Sequence, residues 1–206
     1  MSETVIYVDD HMLVAEKPAG LLSVPGRLPE NKDCLITRLQ TAYPDALTVH
    51  RLDMATSGLM VFARGAEAHR TLSKAFAERQ VSKRYIAVVA GELTGEGEVD
   101  LPLITDWPNR PRQMVDHDIG KPSLTRWRAL ESGEGRSRVE LEPVTGRSHQ
   151  LRVHMMAIGH PILGDVFYAP SEIEALSPRL LLHAARLSLR HPLRGEMMDF
   201  HSTVFF

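Results

Sequence analysis

Cysteine is almost absent from this chain. Cys34 is the single thiol among 206 residues, so no internal disulfide can form. A lone thiol fits a reducing compartment, and a cytoplasmic location is the expectation. Long apolar runs are missing too: the longest, such as Tyr85–Ala90, extend about six residues, against the ~20 needed to cross a bilayer. No membrane association is therefore expected. Residues 1–10 carry Glu3, Asp9 and Asp10 and no basic stretch, so they do not read as a signal peptide. No internal repeat, low-complexity tract or long linker interrupts the pattern. A strong charge imbalance is also lacking. The net charge of −2 argues against a strongly basic nucleic-acid binder.

What is present reads as a globular protein. Hydrophobic residues make up 43% and charged residues 24%, which excludes a mostly disordered chain. The length suits one domain, expected to run over residues 1–206. The basic residues are unevenly chosen, five lysines against 19 arginines. Arginine's planar fork binds phosphate in bidentate fashion and stacks on bases. A GC-rich genome would give the same bias.

Short apolar segments bounded by turn residues place strands at Val5–Val8, Met12–Ala15, Ser57–Ala63, Lys83–Ala90, Leu124–Leu130, Arg138–Val144, Leu180–Leu189 and Met197–Val204, with Val139, Leu141 and Pro143 alternating with charged residues. A short helix carries Leu35, Ile36, Leu39 and Tyr43 on one face and ends at Pro44. Residues Gly65–Arg79 form the clearest amphipathic helix, with Ala68, Leu72, Ala75 and Phe76 as its apolar stripe. A further helix should begin near Ser148. Strands outnumber helices and often follow one another, so the expected class is α+β with a mostly antiparallel sheet.

Four segments set polar residues at turns between apolar runs. The first is His50-Arg51-Leu52-Asp53-Met54-Ala55-Thr56-Ser57-Gly58-Leu59. An Asp held there can be an acid, base or nucleophile, and it can equally cap a turn. The second is Lys83-Arg84-Tyr85, where two cations precede an aromatic ring that could stack on a base. A strand-edge charge pair beside a core Tyr fits as well. The third is Thr145-Gly146-Arg147-Ser148-His149-Gln150-Leu151-Arg152-Val153-His154, a Gly turn entering a helix with Arg147 placed to hold an anion. His149 and His154 are five apart and do not share a helix face, so they do not read as a metal pair. No HExxH or CxxC motif is present, and no metal is expected. The fourth, Gly159-His160-Pro161-Ile162-Leu163-Gly164-Asp165, reads as a structural turn. Cys34, beside the apolar stripe of the first helix, reads as a buried, inert thiol.

Each signal is weak alone. In this order, together with Leu21-Leu22-Ser23-Val24-Pro25-Gly26-Arg27 and Asp106-Trp107-Pro108-Asn109-Arg110-Pro111, they strongly resemble the RluA family of RNA pseudouridine synthases, over essentially the whole chain. The resemblance implies a bent, mostly antiparallel mixed sheet with flanking helices and a central catalytic cleft. It implies a single catalytic domain without an N-terminal S4 RNA-binding domain. It also implies the reaction: a uridine is detached from its ribose at N1, rotated, and rejoined through C5, with no metal or organic cofactor. Asp53 matches the family's catalytic Asp. Tyr85 matches the Tyr that packs on the target base and moves the C5 proton, and Arg147 matches the Arg that pairs with that Asp. Arg51 matches an Arg that enters the RNA stack when the uridine flips out. His50, Lys83, Arg84 and Leu151 are expected to complete the substrate-binding set. The expected partner is structured RNA, in particular 23S rRNA and tRNA anticodon stem-loops, bound by a monomer.

Overall fold

The computed structural model describes residues 4–206; Glu3, part of the reading of the N-terminus, lies outside them. The elements in chain order are β1 (Val5–Val8), β2 (Met12–Lys17), α1 (Leu35–Leu39), β3 (Ala46–Thr48), β4 (Ser57–Arg64), α2 (Ala66–Ala77), β5 (Ser82–Ala90), β6 (Glu96–Asp100), β7 (Leu103–Thr105), β8 (Gln113–Val115), β9 (Leu124–Gly133), β10 (Arg136–Pro143), α3 (Gln150–Ala157), α4 (Ser171–Glu174), β11 (Leu182–Arg190) and β12 (Met197–His201). The class is α+β with mostly antiparallel pairing, as the sequence patterns indicate. None of the helices among the described residues is long and apolar enough to cross a membrane.

The chain divides into two compact units. One holds the residues up to Lys83 together with Ala184–Val204; the other holds Arg84–His183 and Phe205–Phe206. In the first unit the strand order is β1-β2-β4-β11, with β3 also on β4 and β12 on β11. β4 is buried over nearly its whole length, Ser57 through Ala63. Strands covered on both faces read as continuous apolar runs, and Leu59-Met60-Val61-Phe62-Ala63 is such a run. One face meets the apolar stripe of α2: Leu59, Val61 and Ala63 join Met12, Val14, Ala68, Leu72, Leu187, Leu189 and Phe200 in a single buried cluster. Gly58 has φ of +114°, and a Cβ there would fall 2.4 Å from the carbonyl oxygen of Ala184. Only glycine allows the two backbones this approach. Gly65 ends the strand and serves as the N-cap of α2.

In the second unit the order is β5-β10-β9-β6, every pair antiparallel. The β9–β10 hairpin turns at Gly133-Glu134-Gly135, all three at positive φ. β10 alternates cleanly: Val139 and Leu141 are fully buried, while Arg138, Glu140 and Glu142 are partly exposed. α3 packs on β8, β9 and β10. The small β7–β8 hairpin carries Trp107 at its tip, 68% exposed, with the Arg110 guanidinium 4.1 Å over its ring.

Several boundaries differ from those read in the sequence. β3, β6, β7 and β8 carry too few apolar residues to show a period. α1 stops at Leu39, and Tyr43 belongs to the turn that follows, its N–H donating to Leu39. α3 starts at Gln150, because His149 adopts a left-handed conformation that no helix can include. Cys34 is buried, as expected, and is also the N-cap of α1.

Candidate active site

The loop carrying Asp53 is held on both sides. Before it, the Ser23 hydroxyl donates to the Leu52 carbonyl at 2.7 Å and accepts from the Leu52 N–H at 3.1 Å. After it, the Met54 carbonyl accepts from the Gly20 N–H at 2.8 Å and from Lys17 Nζ at 2.9 Å. The Asp53 carbonyl accepts from the Thr56 N–H, closing a tight turn. Asp53 therefore sits, partly exposed, on a backbone fixed before any ligand arrives. Such fixation removes the reorganisation that a reacting group would otherwise undergo.

Lys17 is the member that sequence reasoning missed. It is the last residue of β2, where Lys17-Pro18-Ala19-Gly20 breaks the apolar pattern, yet it is only 1% exposed. Its ammonium donates to the carbonyls of Pro18, Leu21 and Met54. Burial lowers its pKa to about 8, and the negative charge of Asp53 resists that fall. At neutral pH it remains a cation, close enough to Asp53 to interact with it. Lys-Pro-Ala-Gly carries no local sign of this, because the partners come from loops up to 37 residues away.

His50 and Arg51 flank the same loop differently. Arg51 is exposed. His50 faces inward: its ring stacks on Phe76 at 4.4 Å, and Nε2 accepts the Val61 N–H at 3.0 Å. Burial, assisted by the positive charge of Lys83, pushes its pKa down to about 3, so the ring is neutral. These contacts make His50 a buttress of the loop.

In the second unit Tyr85 lies partly buried on β5, directly opposite Leu141. Its neighbour Arg84 points to the other face, where Arg84 Nη1 lies 2.7 Å from Glu142 and 3.8 Å from Glu140. The same face holds the Arg126–Glu98 and Arg128–Glu140 pairs. The structure thus places the Arg84 guanidinium against glutamates, in a cross-strand lattice that local sequence could not reveal.

Arg147 is exposed on the turn that precedes α3, and its Nε donates to the Pro122 carbonyl at 3.3 Å. That turn is pinned by Gln150, another residue that sequence reasoning assigned no role. Gln150 Oε1 accepts from the Thr145 hydroxyl at 2.6 Å and from the Arg147 N–H at 3.0 Å. Its amide nitrogen donates to the Leu124 carbonyl and the Thr125 hydroxyl. His154 reaches Thr125 and the Leu101 carbonyl, and burial lowers its pKa. Leu151 is buried in α3. Of the motif Arg-Ser-His-Gln-Leu-Arg-Val-His, Arg147 and Ser148 are exposed and Gln150 through His154 are buried. No group of three His, Cys, Asp or Glu side chains among the described residues is arranged to hold a metal ion.

A family model described as RNA pseudouridylate synthase matches residues 11–157. That span contains Lys17, Asp53, Tyr85 and Arg147. The chain belongs to the RNA pseudouridylate synthase family. Isomerisation of uridine in RNA, the activity expected from the ordered motifs, is the family's reaction. The chain is 55% identical over 204 residues to the dual-specificity RNA pseudouridine synthase RluA of Escherichia coli O6:H1, covering 98% of this chain and 93% of that protein. It is 50% identical to the protein of the same name from Pasteurella multocida, with the same coverage. Among solved structures it resembles human RNA pseudouridylate synthase domain containing 1, at 29% identity and a TM-score of 0.82, covering 98% of this chain and 83% of that one. Human RNA pseudouridylate synthase domain containing 4 matches at 26% and 0.78, covering 98% and 88%.

Proposed function

We propose that this pseudouridine synthase acts on uridines in 23S rRNA and in tRNA anticodon stem-loops, as a cytoplasmic monomer that uses no metal or organic cofactor. The dual specificity in the names of its 50–55% identical relatives supports the substrate range. Asp53 is the catalytic carboxylate. The observation that carries this role is its loop, clamped at Leu52 and Met54 and set beside the buried Lys17 ammonium.

The chemistry asks three things of the protein. A stacked uridine must first be extruded, which costs a few kcal/mol. Arg51, exposed and two residues from Asp53, fills the vacated stack. The N1 glycosidic bond must then break, through attack of the Asp53 carboxylate or through its removal of a ribose proton. Both routes use the carboxylate as its anion, with the buried Lys17 ammonium as a charged neighbour; in the family assignment Arg147 pairs with the catalytic Asp. Finally the uracil must be held while it turns and loses its C5 proton. Tyr85 supplies a face worth ~1–3 kcal/mol of stacking and a hydroxyl for proton transfer. Lys83 contributes positive charge toward the RNA backbone. The whole chain acts as one catalytic domain.

Mapping pseudouridine in total RNA from cells with and without the gene tests the substrate range. Loss of sites in both 23S rRNA and tRNA anticodon stem-loops is expected. Loss confined to another RNA would overturn the assignment.

A further inference from the structure

The turn that carries Arg147 ends in a strained residue. His149 has φ +54° and ψ 15°, a left-handed conformation that a residue with a Cβ holds only when its surroundings impose it. One surrounding group is Tyr168, whose hydroxyl oxygen lies 2.6 Å from His149 Nδ1. The same oxygen accepts the Gln113 N–H at 2.8 Å, so the hydroxyl is held between β8 and the imidazole. The His149 ring also stacks on Phe167 and meets Tyr168 edge-on.

Tyr168 is itself anchored. Asp165 Oδ1 accepts the N–H groups of Phe167 and Tyr168. Asp165 is paired in bidentate fashion with Arg152, at 2.8 and 2.6 Å, and both residues are at most 2% exposed. The Arg152 guanidinium lies 5.2 and 5.1 Å from the ring centres of Phe167 and Tyr168. Arg152 stands on α3, one turn beyond His149. The contacts therefore close a ring: α3 to Asp165, Asp165 to Tyr168, and Tyr168 back to His149, the N-cap of α3.

We propose that Tyr168 is a positioning residue for Arg147. Its hydroxyl holds His149 in the left-handed conformation and so fixes the direction in which the 146–149 turn presents the Arg147 side chain. Gln150 secures the other flank through the Arg147 N–H. The hydroxyl also ties β8 of the Trp107-bearing hairpin to this turn. The inference rests on the reading of Arg147 as a catalytic group.

Tyr168→Phe keeps the ring and its packing and removes only the hydroxyl. Single-turnover isomerisation of an anticodon stem-loop is measured in five proteins: wild type, Tyr168→Phe, Arg147→Lys, Arg147→Ala and the Tyr168→Phe/Arg147→Lys double variant. Misplacing a reacting group by a fraction of an ångström readily costs about tenfold in rate. Tyr168→Phe should therefore slow the saturated rate by about tenfold, with the half-saturating RNA concentration within about twofold of wild type. In the Arg147→Lys background, itself slow, it should cost less than about twofold, since residues acting as a unit are not additive. A wild-type rate for Tyr168→Phe, with Arg147→Lys still slow, overturns the proposal while leaving Arg147 in its role. An equal loss in both backgrounds also overturns it, because Tyr168 would then act independently of Arg147. A rate that recovers fully well below the variant's melting temperature overturns it as well, the loss being simple unfolding. Full activity of Arg147→Lys and Arg147→Ala would remove the underlying reading itself.

Discussion

Lys17→Met should separate activity from stability. The substitution removes the ammonium and keeps a flexible apolar stem of similar length. On stability the effects oppose one another. The ammonium donates to three carbonyls, and stripping a buried acceptor of its donor costs ~1–3 kcal/mol. The Met54 carbonyl keeps the Gly20 N–H, so its loss is partial. Against this stands the desolvation of the cation, which draws its pKa from 10.5 to about 8 and corresponds to ~3 kcal/mol of differential interaction. The net change in unfolding free energy should be below about 2 kcal/mol. Activity has no such offset. Removing one preorganised charge beside a reacting carboxylate typically costs ~10²-fold in rate. The pH profile gives the sharper signature. A lysine with a depressed pKa carries its charge below that pKa and loses it above. The wild-type rate should be full near pH 7 and fall as pH rises through about 8, retaining roughly one-tenth at pH 9. The uracil N3 proton also titrates at alkaline pH, so any limb left in Lys17→Met belongs to the RNA. Single-turnover rates from pH 6 to 9, with denaturant unfolding of both proteins, make the test. Wild-type turnover in Lys17→Met, or identical alkaline limbs in the two proteins, would refute the role.

Tyr85→Phe should hold RNA affinity near wild type while slowing isomerisation ~10²–10⁴-fold; Tyr85→Ala should also weaken binding by up to ~1–3 kcal/mol, read by RNA titration. A fully active Phe variant would leave stacking as the only role of the ring. Arg51→Ala should slow turnover more on a structured stem-loop than on a short flexible RNA, where extrusion is cheap; equal losses would mark a plain phosphate contact. His50, with its pKa held at about 3, stays neutral in the folded state while the unfolded chain takes up a proton below about 6.5. Stability should therefore fall with acid, by roughly 2 kcal/mol from this residue between pH 7 and 5. In His50→Gln, whose amide oxygen can still accept the Val61 N–H, the acid loss should be smaller by that amount in urea unfolding; an unchanged loss contradicts the assignment.

The parts of the fold legible in the sequence are those whose cause is local. β10 shows its alternation because one face is buried, and α2 shows its stripe because Ala68 and Leu72 meet β4. The turn at Gly133-Glu134-Gly135 declares itself by its glycines. The hidden parts depend on distant partners. Lys17 looks like a surface lysine until the Leu21 and Met54 carbonyls close around it. Nothing local to Lys83-Arg84-Tyr85 shows that β10 brings Glu142 opposite Arg84. Asp53, Tyr85 and Arg147 stood out only as members of an ordered set of motifs. Of the Gln150–His154 segment, the sequence shows only a helix; that it braces the Arg147 turn follows from contacts with Leu101, Leu124, Thr125 and Asp165.

The most direct test of the central claim is tritium release from 5-tritiated stem-loop RNA by Asp53→Asn under single-turnover conditions. The substitution preserves shape and the backbone clamps at Leu52 and Met54, and removes only the ionised carboxylate. No release above background is expected, with RNA affinity and melting temperature close to wild type. Tritium release by Asp53→Asn at a rate within tenfold of wild type would contradict the claim.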